Sequence, residues 1–190
     1  MNPRQTAKLA LRDQLVTARG RLGVATIAQR ARDLAEVLTA VPEVRRAATV
    51  AAYVSVGREP GTGPLLEALG RAGKRVILPL LLPDNDLDWA TYTGPDGLAP
   101  AGRGTLAPVT PALGPDAVAT ADLVLAPGLA VDRRGLRLGR GGGSYDRALA
   151  RATGFTCVVL NSEELLDAVP AEEHDRRVDA AATEAGLVRF

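Results

Sequence analysis

Cysteine, histidine, methionine and tryptophan each occur once in 190 residues. The single thiol, Cys157, excludes an intrachain disulfide, and its place in the apolar run 156–160 marks it as a buried structural group. Lysine is nearly absent as well. Of 23 basic residues only Lys8 and Lys74 are lysines, which makes those two positions candidates for a required ammonium. No apolar run approaches a membrane span, and the opening MNPRQTAKLALR is charged and amphipathic without the apolar core of a signal peptide. The expected location is therefore the cytoplasm. Neither sign of charge is in excess: a net charge of +1 gives no reason to expect nucleic acid or a membrane surface as partner. Internal repeats and a low-complexity tail are also missing. What is there, 46% hydrophobic residues in a chain of this length, suits one well-buried domain over residues 1–190.

Residues 3–20 predict a helix with Leu11, Leu15, Ala18 and Leu22 on one face. Arg4, Lys8 and Arg12 are neighbours on another face at i, i+4 and i+8. That row of like charge is either a solvated basic face or the side of a helix that closes over a polyphosphate. A second helix is expected over 24–40. Residues 47–54 read as a strand covered on both faces. The strand runs into loop 55–62, where Glu59 is either a solvated acid or a reader of a substrate's N–H donors. Thr62 reads as the N-cap of a helix over 64–71, with Pro64 just inside it. A strand over 75–80 follows, then a short edge hairpin over 83–93 that holds Trp89. Residues 94–115, dense in Gly and Pro without a period, are expected to wrap the site. Strands over 122–127, 154–160 and 186–190, a helix over 144–152 and a short helix starting at Ser162 complete the pattern. His174 is either an ordinary surface residue or a group that fixes Asp175. The alternation predicts an α/β fold: a single domain with a mainly parallel open sheet flanked by helices, the two N-terminal helices packed on one face.

The chemistry is expected in RLGRGGGSYDR, residues 137–147. Glycines at 139, 141, 142 and 143 let a backbone approach a ligand closely. Successive N–H groups leading into a helix N-terminus form an anion site suited to phosphate. Arg137 and Arg140 add forked donors that match phosphate oxygens. Asp146 lies in the first helical turn, where a carboxylate can cap N–H groups or hold a metal. The stretch lacks the Gly-Lys-Ser/Thr ending of a Walker loop. It also sits too late, and too far beyond its strand, for the dinucleotide fingerprint.

These positions together resemble the 5-formyltetrahydrofolate cyclo-ligase (5,10-methenyltetrahydrofolate synthetase) family, nearly end to end. The match runs through Lys8 with Leu11-Arg12, Ser55 with Glu59 and Thr62, Gly73-Lys74 with Val76 and Pro79, and Pro127-Gly128 with Asp132. It continues through Gly135, Arg137-Leu138-Gly139, Gly141, Gly143 and Tyr145-Asp146, and closes with Pro170, His174-Asp175, Val178-Asp179 and Thr183. The resemblance implies ATP- and Mg²⁺-dependent closure of 5-formyltetrahydrofolate to 5,10-methenyltetrahydrofolate, with release of ADP and phosphate by way of a phosphorylated formyl intermediate. It implies that Lys8 and Arg12 grip ATP phosphates. Arg137, Leu138, Gly139, Arg140, Gly141, Gly142, Gly143, Ser144 and Tyr145 would wrap the triphosphate. Arg140 and Lys8 would be the catalytic cations, and Asp146 and Asp175 the Mg²⁺ ligands. Glu59, Ser55 and Tyr145 would bind the folate. A monomer with only small-molecule partners is expected.

The chain departs from the family pattern in three places. Ser144 stands where many relatives have a second aromatic, and Gly142 where some have lysine. In segment 102–108, Arg103 and Ala107 replace an aromatic and an acid. Two other readings remain: a non-catalytic nucleotide- or folate-binding protein on the same fold, and a sugar-phosphate or acyl-transfer enzyme needing one phosphate site.

Overall fold

A computed structural model describes residues 3–172 and 175–190, and of Arg103 only the backbone. The expectation for His174 falls outside the described residues. Two long helices open the chain, α1 (Pro3–Gly20) and α2 (Val24–Ala40), and a short α3 (Pro42–Arg46) leads into strand β1 (Thr49–Ala51). Then come α4 (Gly63–Arg71), β2 (Arg75–Leu81), β3 (Leu87–Thr91), β4 (Leu98–Ala101) and β5 (Thr105–Pro108). The second half carries β6 (Leu123–Pro127), β7 (Ala130–Asp132), β8 (Arg137–Leu138), α5 (Ser144–Arg151) and β9 (Phe155–Val159). It ends with β10 (Leu165–Leu166), β11 (Ala180–Thr183) and β12 (Gly186–Arg189).

Seven strands form one sheet in the order β12-β11-β9-β6-β1-β2-β3. The inner five are parallel and the two edge strands antiparallel. Period-two alternation explains the two cores. Val50, Val76, Leu78, Leu123, Leu125, Cys157 and Val159 share one face with Leu34 and Leu38 of α2 and Leu65 and Leu69 of α4. Their neighbours Ala51, Ile77, Val124, Val158 and Ala181 pack on the other face against Ala148 and Leu149 of α5. Strands buried on both faces read as continuous apolar runs, which is why they were visible in the sequence.

The expectation that both opening helices lie on one face of this sheet holds for α2 only. The buried Leu15 of α1 belongs to a third cluster with Leu129, Ala130, Leu138 and Val169. That cluster sits on a small three-stranded sheet, β10-β7-β8, whose β7 and β8 come from the dozen residues between β6 and the glycine loop and whose β10 follows β9. Thr62 occupies the N-cap position of α4 without capping it. Its Oγ1 donates to the Tyr53 carbonyl and accepts from Ser55 N–H, so the side chain closes loop 55–62 instead. Residues 94–115 are not irregular throughout, since they contain the β4–β5 hairpin. Trp89 is fully buried in the core of the edge strand β3. Cys157 is buried and its thiol is pushed up to about 12 by desolvation. Lys74, one of the two candidates for a required ammonium, bonds to backbone. Its Nζ donates to the Arg45 and Ala47 carbonyls at 3.0 and 2.6 Å and so ties down the C-terminal end of α3.

Candidate active site

From β1 the chain moves outward through β2 and β3, then returns to place β6 on the other side of β1. Connections therefore leave β1 and β6 in opposite directions. A crevice opens at the carboxyl ends of two such strands, and ligands of open α/β sheets bind in it. A cleft of about 550 Å³ lies there, lined by Tyr53, Val54 and Glu59 beyond β1 and by Pro127 and Gly128 at the end of β6. Pro79 to Leu81 of β2, Leu106 of the β4–β5 hairpin and the whole of residues 139–146 complete its wall. The expectation that segment 94–115 wraps the site is met by that hairpin.

The glycine loop has the backbone geometry that phosphate binding asks for. Gly141 and Gly143 adopt φ of +100° and +70°, a region that side chains with a Cβ rarely enter. Gly143 is the N-cap of α5. The first intrahelical bond there joins Arg147 N–H to Gly143 O, so the N–H groups of Ser144, Tyr145 and Asp146 precede the helical ladder. All three residues line the cleft. The basic side of α1 adjoins this loop, as expected: Arg12 Nε donates to Gly139 O at 2.9 Å.

Several predicted side chains are already engaged by protein. Lys8 is buried, and its ammonium donates to Glu172 Oε2 at 2.9 Å and to both oxygens of Asp175 at 2.8 and 2.6 Å. Two acids of the chain itself thus offset the row of like charge on α1. Arg137 is buried and donates to Asp146 Oδ1 at 2.9 Å and to the Pro127 carbonyl at 3.2 Å. It braces the loop from below while still lining the cleft. Glycine at 139 makes room for it, since a Cβ would sit 2.5 Å from Arg137 Nη1. Leu138 is buried in the α1 cluster, and its carbonyl accepts from Leu129 N–H, so its side chain does not reach the cleft. Ser55 Oγ accepts from Thr62 N–H at 3.1 Å and is a loop brace outside the cleft lining.

Arg140 is the exposed cation of the cleft, with its side chain 61% accessible. Its Nε and Nη2 lie 3.1 and 3.0 Å from Glu59 Oε1, while Glu59 Oε2 accepts from Val56 N–H at 2.8 Å. Near Glu59 stand two phenols, the half-buried Tyr145 and the buried Tyr53, whose buried hydroxyls have no hydrogen-bond partner. Burial, then the Glu59 carboxylate, pushes both phenols well up, so both stay protonated donors. Tyr53 was missed in the sequence. Its signal was position alone, at the carboxyl end of the first parallel strand and two residues before Ser55.

Among the described residues no three His, Cys, Asp or Glu side chains cluster as a metal centre. Mg²⁺ usually takes one or two carboxylates and fills its octahedron with water and phosphate oxygens. Asp146 fits that description, since it lines the cleft and only its Oδ1 is held by Arg137. Asp175 does not fit while Lys8 holds both its oxygens and Glu172 N–H donates to Oδ2.

A family model described as the 5-formyltetrahydrofolate cyclo-ligase family matches residues 4–184. The chain belongs to the 5-formyltetrahydrofolate cyclo-ligase family. A cyclo-ligase of Mycolicibacterium smegmatis is 46% identical over 134 residues, covering 67% of this chain and 69% of the relative. The cyclo-ligase of Escherichia coli is 33% identical over 147 residues, covering 75% and 81%. The solved 5,10-methenyltetrahydrofolate synthetase of Aquifex aeolicus superposes with a TM-score of 0.83 at 27% identity, covering 96% of this chain and 92% of that one. The synthetase of Mycoplasma pneumoniae, 21% identical over 93% of this chain and 98% of its own, shares the fold with a TM-score of 0.73. The protein is accordingly a ligase with 5-formyltetrahydrofolate cyclo-ligase activity, and its sheet and helices are those of the synthetase fold.

Proposed function

We propose that this cyclo-ligase, acting as one domain over residues 1–190, couples ring closure to ATP. The observation that carries the reading is the shared cleft, which brings the N-terminus of α5 and Arg140 together with Glu59 and the two unpartnered phenols of Tyr53 and Tyr145. The amides of 141–145 and the Arg140 guanidinium are suited to the triphosphate, and Glu59 with Tyr145 to the donor-rich edge of the pterin ring. The formyl oxygen is a poor leaving group. Its attack on the γ-phosphorus would form an O–P bond, release ADP and leave the formyl oxygen phosphorylated; folate N10 would attack the activated formyl carbon, and the C–O bond would break to release phosphate as N10 loses its proton. Such transfer asks mainly for positioning and charge neutralisation. Mg²⁺ would neutralise phosphate charge, held by Asp146 and water. Lys8 would reach phosphate, and Asp175 the metal, on exchanging their present partners.

The setting we propose is cytoplasmic and monomeric, with folate and ATP as the small-molecule partners. No helix among the described residues is long and apolar enough to cross a membrane. The test is to incubate the protein with 5-formyltetrahydrofolate, ATP and Mg²⁺ while following methenyl absorbance and ADP together. Both products should appear in equal amounts, and neither without metal. Binding without ADP would support the non-catalytic reading, and methenyl formation without ATP would refute the coupled mechanism.

A further inference from the structure

We infer that Arg19, which lies outside every motif of the sequence, is a positioning residue for the cleft; this rests on that cleft being the cyclo-ligase site. Arg19, in the last turn of α1, is only 3% exposed. Its Nε and Nη2 donate to the two oxygens of Glu164 at 2.6 and 2.7 Å. Glu164 is held in turn by the backbone and side-chain N–H groups of Asn161 at 2.8 and 3.0 Å. Nη2 also donates to the Gly128 carbonyl at 2.7 Å, and Gly128 lines the cleft.

One residue earlier, the Pro127 carbonyl accepts from Arg137, which continues to Asp146 in the first turn of α5. Two consecutive carbonyls where β6 ends are therefore each capped by a buried guanidinium, and the guanidiniums are anchored on acids from different elements. Gly128 is also closely packed, since a Cβ there would meet Val158 Cγ2 at 2.7 Å.

A buried ion pair is weak evidence for stability, and an apolar pair can fill the same space. An apolar pair cannot donate to Gly128 O. The particular contribution of Arg19 is thus geometric: it fixes the 127–128 step and, through Arg137, the start of α5. Small misplacements of reacting groups cost rate out of proportion to stability.

The test compares wild type with Arg19→Lys and with the double variant Arg19→Met/Glu164→Leu, in melting temperature, steady-state kinetics and amide hydrogen exchange. The double variant leaves Gly128 O and the two Asn161 N–H groups unpaired, so its melting temperature should fall, while kcat should fall about 100-fold with folate KM little changed. Exchange should accelerate at 127–129 and 139–146 and stay slow in the rest of the sheet. Wild-type kinetics and exchange in a stable double variant would overturn the inference. If the double variant does not fold, Arg19→Lys decides, and an undiminished kcat there overturns it. If wild type forms no methenyl product, the active-site reading fails separately; exchange at 139–146 still decides the role of Arg19.

Discussion

Arg140 donates Nε–H to Glu59 Oε1 and brings Nη2 within 3.0 Å of the same oxygen, joining the glycine loop to the loop after β1 across the mouth of the cleft. Lys8 with Asp175 and Arg137 with Asp146 repeat the arrangement. In each pair a cation proposed for phosphate meets an acid proposed for metal or pterin. The charges of the cleft thus balance within the protein. On the proposed reading magnesium-ATP would exchange partners with these pairs, cations to phosphate and acids to metal, without stranding a charge of either sign. Metal and nucleotide binding would then depend on each other.

Removing Arg140 should separate binding from rate. Its guanidinium is exposed and replaceable as an ATP contact by the loop amides, whereas charge developing on the transferring group would lose its nearest donor. Arg140→Ala should lower kcat by on the order of 100-fold, with a much smaller rise in ATP KM. A variant that loses ATP affinity but keeps its turnover number would contradict the assignment.

Asp146→Asn should raise the Mg²⁺ concentration needed for half-maximal activity by about ten-fold or more, as weakening a metal's coordination environment typically does. Titrating Mg²⁺ at fixed ATP checks this. Undiminished activity at limiting Mg²⁺ would remove Asp146 from the metal's environment.

Much of the fold was legible because its inner strands are buried on both faces and its helices are amphipathic; α1 and α2 begin and end where periodicity puts them. The glycine loop was legible because positive φ and close approach leave few residue choices. What could not be read was pairing. Arg137 looks like a phosphate fork in the sequence, but only the fold reveals Pro127 O and Asp146 within its reach. Arg19 is one arginine among many until Glu164, 145 residues away, is placed beside it. Tyr53 likewise has no motif, only an address at the end of a strand.

Asp132 should make stability depend on acid. It is buried, and burial alone would raise its carboxyl. The Arg134 guanidinium and the N–H groups of Arg134 and Leu136 outweigh burial and hold the carboxyl below its usual range. A folded value below the unfolded one gives stability that is complete above the unfolded carboxyl's range, about pH 4, and is lost as pH falls through the folded value. Asp132→Asn should cost about 1–3 kcal/mol at neutral pH and flatten the decline between pH 5 and 3. Denaturant midpoints across that range measure both effects, and parallel acid profiles for the two proteins would refute the assignment.

Gly135 and Gly142 should respond oppositely to alanine. Gly135 has φ of +76°, and a Cβ there would lie 2.5 Å from the Val178 carbonyl, a backbone atom that cannot step aside. Gly135→Ala should destabilise by about 2 kcal/mol or more. At Gly142 a Cβ meets nothing nearer than Ser144 Oγ at 3.5 Å. Gly142→Ala should stay within about 0.5 kcal/mol of wild type. Equal losses by urea denaturation would mean that the turn at 135 is softer than its geometry implies.

Tyr53→Phe should make the protein more stable and a poorer enzyme. The Tyr53 hydroxyl is buried without a partner in the protein, which costs stability. Its loss should therefore leave the melting temperature unchanged or raise it, with a gain of up to about 1 kcal/mol. A hydroxyl kept in place at such a cost implies that a ligand atom completes it. The Glu59 carboxylate acts on this hydroxyl, so on the proposed reading of Glu59 that atom would belong to the folate rather than to the nucleotide. Folate KM should rise by about ten-fold, equivalent to one hydrogen bond of roughly 1.4 kcal/mol, while ATP KM holds. A Phe variant that gains stability with folate KM intact would show that the hydroxyl faces the empty cleft without serving it.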